Sequence, residues 1–304
     1  MDAHEPEDSI VELLTSYNEL NSSRIEELDE EPSPLQFMRY VARNTPFVVR
    51  RGALYWTATR TWDAAYLRST LAGHTVNVAV TPFGNADAPT PDGEGHTVFA
   101  KPHEEEQEFS EFLAYVVRQE KTSSLDSGVE AGNGDEVWYA QTQNDNLRHE
   151  YITLFSQVEK SIAFARIALE RDPDAINMWI GNSRSVTALH RDNYENVYVQ
   201  IAGRKHFVLL PPLFQPCVNE QDLKPATYTR GHQIEGQQKE EKERRLLLRM
   251  DGSIDGNKNG APKVPFATWN PDTPEVQATP YSHLAKPMRV SLEPGDMLYL
   301  PAMW

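Results

Sequence analysis

From Met178 onward the sequence breaks into short apolar runs divided by turn residues: Met178 to Ile180, Val186 to His190, Asn196 to Ile201, His206 to Leu210, Arg289 to Leu292 and Met297 to Leu300. Runs this short suit strands and are too brief for packed helices. They confine this half of the chain to a β-barrel or sandwich, with any helices packed outside it.

Helical signals lie upstream. Ile10, Leu13, Leu14 and Tyr17 recur at helical spacing across Ser9 to Leu20, and Ser9 with Glu12 reads as a capping box. After the acidic run Glu26 to Glu31, Ser33-Pro34 starts a second helix whose apolar positions include Met38 and Val41. Pro46 to Arg50 reads as a strand, Asp63 to Leu71 as a helix, and Val76 to Val80 as a strand with one buried face. Residues 83–107, rich in Gly, Pro, Asp and Glu, read as loop; Phe109 to Val117 is helical, Thr122 to Asp135 a linker, and Val137 to Gln141 a strand. Phe214 to Pro287 interrupts the strand series. Within it, Gln237 to Arg245 reads as an exposed helix or loop and Gly252 to Pro262 as loop. The expected layout is an N-terminal helix and acidic linker (1–33), a helical and β scaffold packed on the barrel (34–135), and the barrel (136–304) with its insertion at about 214–287.

With 304 residues and 39% hydrophobic positions, the chain can bury a sizeable core. Its acidic start lacks the basic and apolar regions of a signal peptide, and no stretch approaches the roughly 18 apolar residues of a membrane span. One cysteine, Cys217, excludes an intrachain disulfide and a thiolate-rich zinc site, which suits cytoplasm or nucleus. A formal charge of −16 weighs against nucleic acid as a partner and favours a basic protein or peptide.

The chemistry concentrates in Thr187-Ala188-Leu189-His190-Arg191-Asp192. On a strand, residues two apart share a face, so His190 and Asp192 can direct an imidazole nitrogen and a carboxylate to one point. That is the local part of a 2-His-1-carboxylate iron site. Lys205, fifteen residues after the histidine and following the turn Ala202-Gly203-Arg204, can anchor the far carboxylate of a dicarboxylate such as 2-oxoglutarate. Thr187 and Tyr139 can donate hydroxyls to that carboxylate, and Asn196 can reach the metal-bound end. Strict alternation puts Thr187 opposite His190, so its role requires a local bend.

Met178 to Gly181, Val186 to Asn196, Gly203 to Phe207 and Pro294 to Pro301, with Thr81 to Ala88 and Pro225 to Tyr228, resemble the JmjC-domain 2-oxoglutarate oxygenases, in particular the small cupin-like protein hydroxylases. The resemblance runs from about Pro34 to Trp304. It implies an α+β, mainly β fold: a double-stranded β-helix barrel of cupin type with flanking N-terminal helices. It also implies Fe(II) at His190 and Asp192, and 2-oxoglutarate at Tyr139, Thr187, Asn196 and Lys205. With O2, such a site hydroxylates a protein side chain, here a lysyl group in a GTP-binding or other basic protein. The alternatives are a catalytically silent peptide-binding module and a histone lysine demethylase.

Relatives of this kind carry a third iron ligand, a histidine, shortly beyond the position of Trp304, followed by a last barrel strand and C-terminal helices that serve a homodimer. These lie outside the present sequence. None of His149, His206, His232 and His283 is expected to replace the absent histidine, because facial coordination tolerates little misplacement. His206 is expected in the core or behind the site.

Overall fold

The computed structural model describes residues 8–125, 136–230, 246–252 and 261–304. Gln237 to Arg245 and most of the Thr122 to Asp135 and Gly252 to Pro262 stretches lie outside the described residues.

The chain begins with α1 (Ser9–Leu20), β1 (Glu26–Leu28), α2 (Pro34–Arg43), β2 (Phe47–Val49), α3 (Thr57–Thr61) and α4 (Ala64–Thr70). Asp8, not Ser9, caps α1, its carboxylate accepting from the Ile10 N–H at 2.9 Å. The capping box belongs instead to α2, where Ser33 and Gln36 bond reciprocally. Phe37 and Tyr40 are the residues α2 buries, while Met38 stays exposed, so its apolar stripe is rotated from the expected one. Phe37 packs edge-on against Tyr299, ring centroids 4.8 Å apart, and Phe47 lies 5.1 Å from the same ring.

Next come β3 (Thr75–Thr81), β4 (Ala88–Pro91), β5 (Thr97–Lys101), β6 (His103–Glu108), α5 (Phe109–Leu125) and β7 (Val137–Tyr139). Three of these strands occupy the region expected to be loop. The sheet orders explain why composition misleads there: β4 is the edge of one sheet and β6 of another. Edges tolerate proline, which has no N–H to donate, and carry charge that discourages further pairing. Pro89, Pro91 and Glu104 to Glu106 fit those positions.

In the sheet β6-β3-β7 the two faces differ sharply. Val76, Val78, Val80, Trp138 and the following Ala140 join a core cluster with Phe109, Phe112 and Val116 of α5. Ala79, Tyr139 and Glu104, in register with one another, leave the sheet on the opposite side.

After α6 (Ala163–Leu169) follow β8 (Asn196–Val199), β9 (Lys205–Leu209), β10 (Glu220–Leu223), β11 (Pro225–Arg230), β12 (Leu246–Met250), β13 (Val264–Ala267), β14 (Met288–Leu292) and β15 (Met297–Leu300). The apparent interruption therefore contributes strands of its own. β10 pairs with β13, while β11 runs between β12 and the scaffold strand β5. The expected strand at Val186 to His190 does not form, and Met178 to Ile180 contributes only a bridge between Ile180 and Ala140.

The barrel's two sheets meet where β8 turns into β9 and β14 into β15: β8 pairs with β15, β9 with β14. Tyr198, Phe207, Leu209, Val290, Leu292 and Leu298 fill the space between them. No described helix is long and apolar enough to cross a membrane.

One carboxylate ties these strands together. Asp296, 3% exposed, accepts from Arg50 Nη1 at 2.6 Å, from the Arg51 N–H at 2.9 Å and from the Glu293 N–H at 3.0 Å. Burial opposes ionisation, but the two N–H donors and the guanidinium outweigh it and hold the carboxyl below its ordinary range. Replacing Asp296 by Ala takes one of two carboxylates from Arg50, which keeps Glu27, and strands two N–H groups, and is expected to cost about 3 kcal/mol of stability in chemical denaturation. Its folded state resists protonation, so the stability Asp296 contributes is complete above about pH 3.9 and fades as pH falls through the lower folded value. Melting curves of Asp296→Asn should therefore depend less on pH below about 4 than those of the parent.

Candidate functional site

Lys205 opens β9 and shares its strand face with Phe207 and Leu209, which face the barrel interior. Its Nζ donates to Tyr139 Oη at 3.2 Å and lies 5.5 Å from the centroid of the Tyr139 ring and 6.0 Å from that of Tyr198. Two strands distant in sequence thus deliver an ammonium and a phenol to one spot. Tyr198 extends the wall by stacking on Trp179 at 5.9 Å and meeting Phe207 edge-on at 5.0 Å. Burial pushes the Tyr198 phenol up, so it stays a neutral donor.

His190 and Asp192 lie on irregular backbone, not on a strand, yet they converge. His190 Nε2 is 3.8 Å from Asp192 Oδ2, and both side chains are about half exposed. His190 Nδ1 lies 2.9 Å from the Ala188 carbonyl oxygen. A carbonyl can only accept, so Nδ1 carries the proton and a neutral imidazole leaves the Nε2 lone pair free. First-row divalent ions bind such donors at about 2.0–2.2 Å, so neighbouring facial ligands of one ion lie about 3 Å apart. At 3.8 Å the pair stands somewhat wider and would close on an ion by rotation of its half-exposed side chains; an imidazole and a carboxylate suit iron.

Backbone bonds at both ends, the Arg191–Glu220 ion pair and the packing of Leu189 hold the segment in place without a sheet. The Val186 N–H donates to the Gly84 carbonyl at 2.8 Å, and the Met303 N–H to the Asp192 carbonyl at 2.7 Å. The second bond brings the Leu300-Pro301-Ala302-Met303 segment alongside the His190–Asp192 pair, and Trp304 is fixed by Nε1 donating to Asn44 Oδ1 at 2.6 Å.

The other expected residues separate from this core. Thr187 is exposed, and among the described residues its side chain has no hydrogen-bond partner. Asn196 lies on β8 on the same face as Tyr198, with its Nδ2 donating to the Tyr194 carbonyl at 3.3 Å. His206 is exposed on the outer face of β9, 2.7 Å from Ser291 Oγ, contrary to the interior position expected of it. His149 and His283 are exposed, and His232 lies outside the described residues. A three-residue cluster, Asp92, Glu94 and His96, has its ligand atoms within 4.8 Å of one another. Asp92 Oδ1 already accepts the Glu94 and His96 N–H groups at 2.8 and 3.1 Å, the bonding of a tight turn between β4 and β5.

Residues 32–304 match the family described as Cupin-like domain. This chain belongs to the cupin-like JmjC family. Its members are 2-oxoglutarate oxygenases, and the double-stranded β-helix expected from the resemblance is their barrel. The chain is 33% identical over 279 residues to the human bifunctional peptidase and (3S)-lysyl hydroxylase JMJD7, covering 91% of this chain and 77% of that protein. It is 32% identical over 291 residues to the lysine-specific demethylase JMJ32 of Arabidopsis thaliana, covering 93% and 76% respectively. A JmjC domain-containing protein E of Dictyostelium discoideum is 29% identical over 281 residues, 90% of this chain and 75% of that one.

Sequence reasoning missed Tyr198, although its signal was present: it stands two residues beyond Asn196 on the same strand and must share that face. Gly84 was missed as well. At φ 77° it occupies left-handed backbone, and a Cβ there would meet the Arg184 carbonyl oxygen at 1.9 Å. Gly84→Ala is expected to lose about 1–3 kcal/mol from backbone strain, and more from the displaced 184–186 segment. Gly93→Ala, with φ 86° but nothing within 4 Å of the added carbon, isolates the strain. Thermal melts should show Gly84→Ala the worse of the two, with faster hydrogen exchange at the Val186 amide.

Proposed function

We propose that this chain is an Fe(II)- and 2-oxoglutarate-dependent protein hydroxylase acting on a lysyl side chain. The observation that carries the reading is the Lys205–Tyr139 contact, 3.2 Å long, at the interior end of β9. Ammonium and phenol together match the far carboxylate of 2-oxoglutarate, and the aromatic wall of Tyr198, Trp179 and Phe207 suits its aliphatic carbons. His190 Nε2 and the Asp192 carboxylate would hold iron. Iron and 2-oxoglutarate supply the oxidation: dioxygen and the co-substrate yield succinate, carbon dioxide and a C–H bond converted to C–OH. The protein's part is positional. Lys205 and Tyr139 fix one end of the co-substrate, the wall keeps water away, and the Ala188 carbonyl fixes the ring of His190.

The lysyl target is supported by the similarity to a (3S)-lysyl hydroxylase and by the acidic charge of −16. Similarity to a lysine-specific demethylase supports a second reading, in which the oxidised carbon is an N-methyl group.

The assay supplies the protein with Fe(II), 2-oxoglutarate, O2 and basic lysine-containing proteins, then follows succinate and substrate mass. The expected result is succinate with gain of one oxygen on a lysine. Lys205→Ala should weaken 2-oxoglutarate binding by about 10- to 150-fold, the worth of a charge-assisted hydrogen bond. Asp192→Ala should abolish turnover. Methyl loss from methyl-lysine would favour the second reading, and absence of succinate with every substrate would favour a silent binding module.

A further inference from the structure

Both aromatic rings beside Lys205 are backed by one short stretch, Trp179-Ile180-Gly181. Ile180 exchanges two backbone hydrogen bonds with Ala140, each 3.0 Å long, and its side chain packs against the core cluster that β3 and α5 share. In extended backbone, neighbours of a residue turn to the side opposite its own, so Trp179 and Gly181 both face away from that core. Trp179 stacks on the Tyr198 ring, with 5.9 Å between centroids and 21° between planes. Gly181 lies against the ring of Tyr139: a Cβ there would meet Tyr139 Cδ2 at 2.6 Å, Cε2 at 2.9 Å and Ser185 Oγ at 2.8 Å. Carbon atoms pack at about 3.5–4.0 Å, so the ring fills the volume that any larger residue would claim.

Neither backbone is free to retreat. Tyr139 pairs with Ala79 of β3, and the residue after it makes the bridge to Ile180. Beyond Gly181 the chain is pinned to α5: Asn182 Nδ2 donates to Gln119 Oε1 at 2.8 Å, and the Ser183 N–H to Glu120 Oε2 at 2.8 Å. The Ser185 N–H then returns to the Asn182 carbonyl at 3.0 Å. A side chain at position 181 therefore displaces the Tyr139 ring, by rotation about its side-chain torsions. Tyr139 Oη sits at the far end of that ring, 3.2 Å from Lys205 Nζ, so the rotation carries it off the ammonium.

We infer that Gly181 is a positioning residue for co-substrate binding, its missing side chain being the seat that holds the Tyr139 phenol on Lys205. The inference rests on the proposed function for the identity of the ligand, whereas the seat is a property of the protein alone. It also gives the Met178 to Gly181 stretch a use beyond its single bridge. Trp179 backs one ring and Gly181 admits the other, at 6.0 and 5.5 Å from the same ammonium.

The test follows the Lys205 side chain by NMR in isotope-labelled protein, with Tyr139→Leu as the reference for loss of the ring. In Gly181→Ala the Lys205 ε-methylene signal is expected to leave its parental position as the ring current of Tyr139 moves away. In the Tyr139→Leu background the same substitution should leave that signal unmoved. A second arm measures 2-oxoglutarate affinity by calorimetry, with Mn(II) and without oxygen. Gly181→Ala should weaken it by about tenfold or more, the worth of one hydrogen bond to a charged group, and by less than about twofold once Tyr139 is leucine. A lower melting temperature with unchanged affinity and an unmoved Lys205 signal would overturn the assignment, as would an equal loss of affinity in both backgrounds. If Gly181→Ala does not fold, adding Tyr139→Leu is expected to restore the fold, and failure to restore it would count against the seat. A shifted Lys205 signal in a protein that binds no 2-oxoglutarate would support the seat and count against the co-substrate reading alone.

Discussion

The barrel depends on the buried carboxylate of Asp296. Its side chain holds Arg50 and the N–H of Arg51 at the end of β2, and its own carbonyl accepts from Gln200 N at 3.0 Å where β8 ends. Gly295 returns the bond to the Gln200 carbonyl at 2.8 Å, and its carbonyl receives Ala53 N at 2.8 Å. One turn therefore joins β2, β8, β14 and β15. An ionised acid at 3% exposure is tolerable only because every donor it needs is present. Fixing the end of β8 also fixes the turn into β9, and so the position of Lys205 on the interior face.

The site exploits a division of labour in the neighbouring sheet. One face of β3 and β7 is given to Val76, Val78, Val80 and Trp138, packed on α5, and the other carries Ala79 and Tyr139. Rigid pairing positions Tyr139 against Lys205, whereas His190 and Asp192 ride on irregular backbone. Under the proposed function, precision would fall where the co-substrate binds and lighter restraint where a protein substrate enters.

Much of this was legible in the sequence, for identifiable reasons. The strands β8, β9, β14 and β15 follow from short apolar runs, and the Lys205–Tyr139 meeting from the chemistry of a dicarboxylate. The convergence of His190 and Asp192 was foreseen, but not its cause, since two-residue alternation encodes a face and says nothing about a ladder partner. Residues 83–107 looked like loop because edge strands carry the prolines and glutamates that loops also carry. The contact between Asp87 and Gln141 was hidden for a different reason: the two are distant in sequence, and only the folded chain brings them together.

Under the proposed function, metal and co-substrate share the space between His190, Asp192, Lys205 and Tyr139. A crystal structure of the protein grown without oxygen, with Mn(II) in place of iron and 2-oxoglutarate added, puts this to the test. The ion is expected on His190 Nε2 and the Asp192 carboxylate, with the far carboxylate of 2-oxoglutarate on Lys205 Nζ and Tyr139 Oη. An ion at Asp92, Glu94 and His96 instead, or a co-substrate bound away from Lys205, would contradict it.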